Sequence, residues 1–334
     1  MPTLVGKEVS NNGLGLMRLT APGANISDED TFAVLKAAIA TGVNCWNGAD
    51  FYGTPTNNSL HLLNRYFTAY PEDADKVVIC IKSGIVDMRV LHTFSLDCSP
   101  ESVRKYVANA NKILDGKKKI DIFGMGRVDS KVPIEDTVKA LADLVSEGAI
   151  GGIQLSEVGS ETIRRAASIA KIDMVEAEVS LWAPEIFENG VAATCAELNI
   201  QIVAHTPLGA GMLTGKFRSL DDLEPNDHHH FFPRFQPENF HKNLELVDAL
   251  NKLAKSKECT TAQLALSWLK MQSRQPGVPP LIPVFGARTP SRIAENTKDI
   301  ELMDEDLQEI KQILASFAVS GTRYPVPAMK LVEY

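Results

Sequence analysis

The chain has 334 residues, of which 44% are hydrophobic and 23% charged, and its formal net charge at pH 7 is −8. This length allows two domains or one large barrel, and the acidic balance argues against nucleic acid as a partner. No apolar run is long enough to span a membrane and the N-terminus lacks a secretory apolar segment. We therefore expect no membrane partner and a location in the cytoplasm, with the nucleus as an alternative.

Short apolar segments alternate with amphipathic ones along the chain, which predicts strands followed by helices. The eight predicted strands are 11–18, 43–49, 76–83, 120–129 with its exit loop, 150–157, 174–181, 200–208 and 281–286. The predicted helices are 29–40, 60–67, 99–114, 133–146, 160–169, 190–198, 244–255, 261–272, 290–296 and 303–315. A polar loop is predicted over about 214–240 and an irregular tail over about 319–334.

The predicted strands are short and do not alternate between apolar and polar residues, which is typical of a parallel sheet buried on both faces. Eight such units predict an α/β fold, a (β/α)8 TIM barrel that forms one domain over 1–334 and has its functional groups at the strand C-termini. The structural alternative is an open doubly wound sheet. That fold needs a glycine-rich turn at a helix N-terminus, and Gly13-x-Gly15 lacks the third glycine.

Two chemically matched residues lie at predicted strand ends. Tyr52 stands in the turn after the second strand, and Lys82 closes the third. An ammonium close to a phenol favours the phenolate, and such a tyrosine can protonate an oxygen on which negative charge develops. A lone tyrosine is usually a packing residue, but this pair suits reduction of a carbonyl by hydride.

Six ordered segments resemble the aldo-keto reductase superfamily, and together they extend over nearly the whole chain. They are W-N-G-A-D-F-Y-G at 46–53, the lysine strand at 77–83, I-D-I-F-G-M-G-R-V-D at 120–129, G-G-I-Q-L-S-E at 151–157, A-H-T-P-L-G at 204–209 and R-I-A-E-N at 292–296. Within the superfamily the chain is similar to the pyridoxal reductase branch. The resemblance implies an NADPH-dependent reductase of aldehydes with pyridoxal as the favoured substrate, and it leaves the oligomeric state open, a monomer included.

The resemblance also implies roles for individual residues. Tyr52 corresponds to the proton donor, Lys82 to its partner, and Arg292 to the residue that binds the 2′-phosphate, which a guanidinium can contact bidentately. The positions implied to bind NADPH are Ser156, Glu176, His205, Thr206, Leu208, Gly209, Gly211, Arg288, Arg292, Glu295 and Asn296. Gly126 and Trp182 are assigned to the substrate pocket. No metal site is expected, and His228–His230 is interpreted as an exposed loop.

Two of the four usual catalytic positions differ from the family pattern. Asn47 occupies the place of the aspartate that pairs with the lysine, and Gly126 occupies the place of a histidine that donates to the substrate oxygen. Loss of the carboxylate predicts that Lys82 loses its proton more easily. Loss of an oxyanion donor is typically worth about 10²–10³ in rate. We expect a water beside Gly126, because the alternation of a strand would turn the next cation, Arg127, away from the barrel mouth.

The expected cofactor shell is altered as well. Glu176 and Glu157 replace a family glutamine and asparagine, and His205 replaces a tyrosine that stacks on nicotinamide. Hydrogen bonding of the carboxylates to the cofactor is the favoured interpretation, and contact with a charged substrate is the alternative. The altered positions also leave a second function open, an NADPH-binding sensor with little turnover, although the retained Tyr52 and Lys82 favour the enzyme.

Overall fold

In a computed structural model, which describes residues 1–21, 23, 26–85, 95–224 and 227–333, eight parallel strands close into a barrel, as the sequence predicted. The strands are β1 Gly13–Gly15, β2 Cys45–Ala49, β3 Val78–Ser83, β4 Ile122–Met125, β5 Ile153–Ser156, β6 Met174–Glu178, β7 Gln201–His205 and β8 Leu281–Gly286. Their order around the barrel is β6-β7-β8-β1-β2-β3-β4-β5. This closed order excludes the open doubly wound sheet.

Helices longer than one turn surround the barrel. They are α1 Asp28–Ala40, α2 Ser59–Ala69, α3 Pro100–Leu114, α4 Ile134–Ser146, α5 Ser160–Ile169, α6 Val191–Glu197, α7 Pro237–Ser256, α8 Thr261–Gln272, α9 Pro290–Thr297 and α10 Asp304–Ser316. Local sequence defines several starts. The Ser27 hydroxyl accepts from the Asp30 amide at the start of α1, and Thr260 and Gln263 form a capping box on α8. None of the described helices is both long enough and apolar enough to cross a bilayer.

Alternation within the strands divides the barrel interior into an apolar base and a polar top. Cys45, Val78 and Met174 belong to the apolar cluster inside the base, which Leu4 of the N-terminal hairpin also joins. Side chains two residues further along a strand lie on the same face of the sheet. Hence β2, β3, β6 and β7 carry polar side chains above this base at their C-terminal ends.

The structure corrects the predicted elements in several places. Helix α7 begins at Pro237 rather than at 244, because Pro237 fits the first turn and Phe240 buries its ring in the core. The first strand ends at Gly15, and a helical turn, Met17–Thr20, follows it. The tail predicted as irregular contains one helical turn, Val326–Met329, and the loop before α7 contains short 3₁₀ turns.

Candidate active site

A cavity of about 400 Å³ opens at the C-terminal end of the barrel strands. Its floor is formed by the ends of β1, β2, β3, β6, β7 and β8. Its walls come from the loop after β7, from the segment just before α7 and from the C-terminal tail. This is the end of the barrel at which (β/α)8 enzymes hold their reacting groups.

The buried side chains of Lys82, Asn47 and Glu176 meet at the cavity floor. The Lys82 ammonium donates to both Glu176 carboxylate oxygens, at 2.8 and 2.7 Å, and to the Asn47 amide oxygen at 2.7 Å. The Asn47 amide nitrogen donates to Glu176 Oε2 at 2.8 Å. Each polar group of the three has a partner, as buried polar groups require. The sequence assigns Glu176 to NADPH binding. In the structure both of its carboxylate oxygens accept hydrogen bonds from Lys82, and one of them also accepts from Asn47.

The cluster keeps the Lys82 side chain charged. Burial lowers the pKa of Lys82, but the Glu176 carboxylate and the nearby Tyr52 outweigh it, and the net pKa is raised. Burial raises the pKa of Glu176, but the Lys82 charge outweighs it and lowers that pKa overall. The prediction that Lys82 loses its proton more easily is therefore wrong, because Glu176 supplies the carboxylate that position 47 lacks.

Tyr52 lies beside this lysine. The Lys82 nitrogen is 5.2 Å from the centroid of the Tyr52 ring, and the ring of Phe51 packs edge-on against Tyr52 with centroids 5.0 Å apart. The turn that presents Tyr52 requires Gly53, whose φ is +134° and at which a Cβ would lie 2.2 Å from the Asn57 carbonyl oxygen. Phenol and ammonium thus line one cavity.

Gly126 is expected in the substrate pocket, but it is not among the described residues that line the cavity. A Cβ at this position would lie 3.0 Å from Phe51 Cζ and 3.1 Å from Ile85 Cδ1, so these two side chains pack beside it. The guanidinium of Arg127 lines the cavity, which contradicts its predicted outward direction. Strand β4 ends at Met125, so the alternation of a strand no longer sets the direction of residue 127.

A second buried cluster lies behind the mouth of the cavity. Glu157 Oε1 accepts from the His205 ring at 2.7 Å, and Arg323 of the tail lies 3.0 Å from Glu157 Oε2. Burial raises the pKa of Glu157, but His205, Arg127 and Arg323 together lower it. Glu157 therefore has protein partners, and the tail arginine among them had no signal in the sequence.

All but one of the residues assigned to NADPH fall into two groups. Those that line the cavity are Glu176, His205, Thr206, Leu208, Gly209 and Gly211, and Trp182 of the expected substrate pocket lines it too. Ser156 is not among the lining residues described; it is buried, and its hydroxyl lies 3.4 Å from Arg127 Nη1.

The other group lies at and before α9. Arg292 is exposed on its first turn and pairs with Glu295, and Asn296 is buried on the same helix. Arg288 lies in the connection between β8 and α9. Burial is the main cause that lowers the pKa of the cavity-lining Arg18, and the nearby charge of Arg288 lowers it further. Arg18 is a site residue that sequence reasoning missed.

The loop after β7 has a left-handed backbone conformation. Gly209, Ala210 and Gly211 all have positive φ, and a Cβ at Gly209 would lie 2.8 Å from Trp182 Cε3. The ring of His229 is buried and bonds to the Ala210 carbonyl oxygen at 2.8 Å. The expectation of exposure is therefore wrong for His229. Among the residues that the structure describes, no group of three or more His, Cys, Asp or Glu side chains is placed to hold a metal ion.

This chain is similar to several known proteins in sequence and in fold. The chain is 38% identical over 333 residues to a probable pyridoxal reductase of Schizosaccharomyces pombe, covering 97% of each chain. It is 34% identical to an aldo-keto reductase of the same organism whose name specifies NADP(+), covering 94% of this chain and 91% of that one. A solved glycerol dehydrogenase from Gluconobacter oxydans shares the fold, with a TM-score of 0.80, 23% identity and 96% coverage of both chains. The model of the aldo/keto reductase family matches residues 13–315, and the chain belongs to that family.

Proposed function

We propose that this protein is an NADPH-dependent reductase of aldehydes in which Tyr52 is the proton donor and pyridoxal is the favoured substrate. The observation that carries the proposal is the Lys82 ammonium, fixed between Glu176 and Asn47 and facing the Tyr52 ring inside the cavity. A buried cation beside a phenol stabilises the phenolate that remains after the proton has left. The protonated Lys82 therefore serves the step in which Tyr52 gives up its proton.

The residues present fit a dinucleotide phosphate cofactor. Three successive residues with positive φ, Gly209 to Gly211, line the cavity, and their small or absent side chains let a phosphate group approach the backbone closely. Arg292 and Arg288 would hold the 2′-phosphate, and Thr206 and His205 would contact the nicotinamide end. When bound, the cofactor supplies the hydride. The name of the Schizosaccharomyces pombe relative that specifies NADP(+) supports this choice.

Pyridoxal is proposed on two grounds. The 38% identical relative is named a probable pyridoxal reductase. The cavity also combines apolar and aromatic walls, including Phe51, Phe232 and Tyr324, with charged groups at its floor. Such a cavity suits a flat ring that carries polar substituents.

The test is the loss of NADPH absorbance with pyridoxal and with 4-nitrobenzaldehyde for wild type, Tyr52→Phe and Tyr70→Phe. Removal of the donor in Tyr52→Phe should lower kcat by about 10²–10⁴, a range typical of one general acid. Tyr70→Phe is the matched control, because Tyr70 packs on Phe32 and Lys36 away from the cavity. Turnover that survives in Tyr52→Phe contradicts the mechanism. NADPH binding without turnover of any carbonyl would instead support the sensor function.

A further inference from the structure

In the family pattern a histidine assists the tyrosine as a second donor to the carbonyl oxygen, and position 126 cannot supply one. Gly126 has no side chain, and the adjacent space is filled by Phe51 and Ile85, at 3.0 and 3.1 Å from a Cβ placed there. A side chain at this position would have to displace the tips of Phe51 and Ile85 slightly. A second donor to the oxygen, besides Tyr52, must therefore come from a residue other than Gly126.

Arg127 brings a guanidinium into the same cavity. Its Nη1 donates to the Gly126 carbonyl oxygen at 2.6 Å and lies 3.4 Å from the Ser156 hydroxyl oxygen. The guanidinium carbon lies 5.8 Å from the centroid of the Tyr324 ring. These contacts engage one edge of the guanidinium. In the described parts of the chain no oxygen accepts a hydrogen bond from Nε or Nη2, so donors remain for a ligand.

The charges around Arg127 keep it a cation. Burial lowers its pKa, but Tyr324, Glu157 and Tyr52 raise it, and the net direction is upward. A histidine at this place would titrate between about pH 5 and 8, whereas an arginine does not. The group that meets the substrate oxygen would thus donate at every physiological pH.

We propose that Arg127 is a catalytic residue that donates a hydrogen bond to the carbonyl oxygen of the substrate, in place of the histidine that the family carries one residue earlier. This inference rests on the proposed function. As the hydride forms the new C–H bond, the C=O π electrons move to oxygen, where Arg127 stabilises the negative charge. The Tyr52 proton then forms the O–H bond, and the phenolate is left beside Lys82. The products are the alcohol and the oxidised cofactor.

The first test measures kinetics in Arg127→Met, Arg127→Lys and the control Arg165→Met, whose exposed guanidinium pairs with Glu135. We expect Arg127→Met to lower kcat by about 10²–10³, the loss typical of one oxyanion donor. The KM and the NADPH affinity should stay within about twofold, an expectation that follows because the bond forms mainly in the transition state. Arg127→Lys should recover part of the rate, since an ammonium still donates. Arg165→Met should match wild type.

The second test needs no turnover. The chromophoric aldehyde 4-(dimethylamino)cinnamaldehyde is bound to the complex of enzyme and NADP⁺, and its absorption maximum is recorded. A donor on the carbonyl oxygen polarises the conjugated system and moves the maximum to longer wavelength. We expect the full red shift in wild type and in Arg165→Met, a smaller one in Arg127→Lys, and the smallest in Arg127→Met, in which Tyr52 is the remaining donor.

The outcomes separate this inference from the proposed function. Active enzyme whose kcat and red shift survive in Arg127→Met contradicts the role of Arg127 and leaves the reductase intact. A rise in KM with unchanged kcat also contradicts it, because Arg127 would then only bind substrate. The wild type could also reduce no carbonyl and still show a red shift that depends on Arg127. That result would support Arg127 as the donor and contradict the proposed reductase function. Circular dichroism of each variant excludes unfolding as the cause of a lost signal.

Discussion

At the scale of single residues, Asn47 and Glu176 show how the site keeps its charge. The family pattern has a carboxylate at the first position and an amide at the second, and this chain has them the other way round. The carboxylate still contacts Lys82, now across the barrel from β6 instead of from the neighbouring β2. A buried ammonium needs one opposite charge nearby, whichever strand carries it. The exchange therefore keeps the lysine protonated.

This exchange predicts the behaviour of two variants. Glu176→Gln leaves an uncompensated ammonium in a buried site, so we expect a loss of about 3–5 kcal/mol in the free energy of unfolding. The pKa of Lys82 should fall, because burial still lowers it and the opposing charge is gone. The decline of kcat at alkaline pH should then begin at lower pH than in wild type, as pH–rate profiles would show.

The control is the double variant Asn47→Asp, Glu176→Gln, which returns the carboxylate to the other side of Lys82. The Asn47 amide oxygen already accepts from Lys82 at 2.7 Å, so an aspartate there has a partner in place. We expect the double variant to recover most of the stability and the wild-type alkaline limb. A double variant as impaired as Glu176→Gln would show that the position of the carboxylate matters, and not only its charge.

The residues of this cluster could be listed from the sequence, but their pairing could not. Strand ends and alternation predicted that Lys82, Asn47 and Glu176 would face one mouth. Which of them touch depends on the diameter of the barrel and on side-chain length, which no local pattern encodes. The same limit explains Arg127: its direction is set by the loop that leaves β4, where strand alternation has ended.

At the scale of elements, the C-terminal tail acts as a wall of the site. Tyr324, Ala328 and Leu331 line the cavity, and Arg323 binds the buried Glu157. The end of the tail is fixed at α5, where the Glu333 carboxylate accepts from the Gly159 amide at 2.7 Å and from the Thr162 hydroxyl at 3.0 Å. The tail has no periodicity, so the sequence could indicate only an irregular segment and not its position over the barrel.

The contact at α5 predicts the effect of Glu333→Ala. A carboxylate that caps a helix N-terminus is worth about 0.5–2 kcal/mol, so its loss should raise the population of undocked tail several-fold. We expect a higher KM for the carbonyl substrate, an unchanged NADPH affinity and faster proteolysis of the tail. The matched control is Glu161→Ala, on the first turn of the same helix, which should change none of the three. An unchanged KM together with fast proteolysis would show that the tail does not shape the substrate site.

At the scale of the whole molecule, the barrel was predictable because its information is repeated. Each of eight units carries a short apolar strand and an amphipathic helix, so an error in one boundary leaves the count intact. Boundaries failed where tertiary packing overrides local composition, as at the start of α7, whose first residues are polar although Phe240 is buried. The site residues in the loops and the tail could not be predicted for a related reason, because their positions depend on the completed fold.

The pH dependence of the free energy of unfolding is a property of the whole barrel that buried carboxyl groups determine. Burial raises the pKa of Asp50 from 3.8 to about 6, although the hydrogen bond from the Ser83 hydroxyl acts to lower it. Its contribution to stability is therefore full below its unfolded pKa and is lost as pH rises through about 6. The pKa values of Glu157 and Glu176 are lowered, so their contributions are present above the usual range of a glutamate and are lost as pH falls. The two trends together predict maximal stability near about pH 4.5 to 5, above which the Asp50 contribution is progressively lost.

The Asp50→Asn variant should not lose stability as the pH rises through the range in which Asp50 ionises. The full shift corresponds to up to about 3 kcal/mol between pH 4 and pH 7, at 1.36 kcal/mol per pKa unit. An asparagine oxygen can still accept from the Ser83 hydroxyl, so the folded geometry has a partner. Urea unfolding of wild type and Asp50→Asn at pH 5 and pH 7.5 should therefore show the variant gaining stability relative to wild type at the higher pH. The exposed Asp75→Asn is the control, and its difference from wild type should be the same at both pH values. An equal offset for Asp50→Asn at both pH values would mean that Asp50 is ionised in the folded barrel at pH 5, and that any decline in stability between about pH 4 and 6 has another origin.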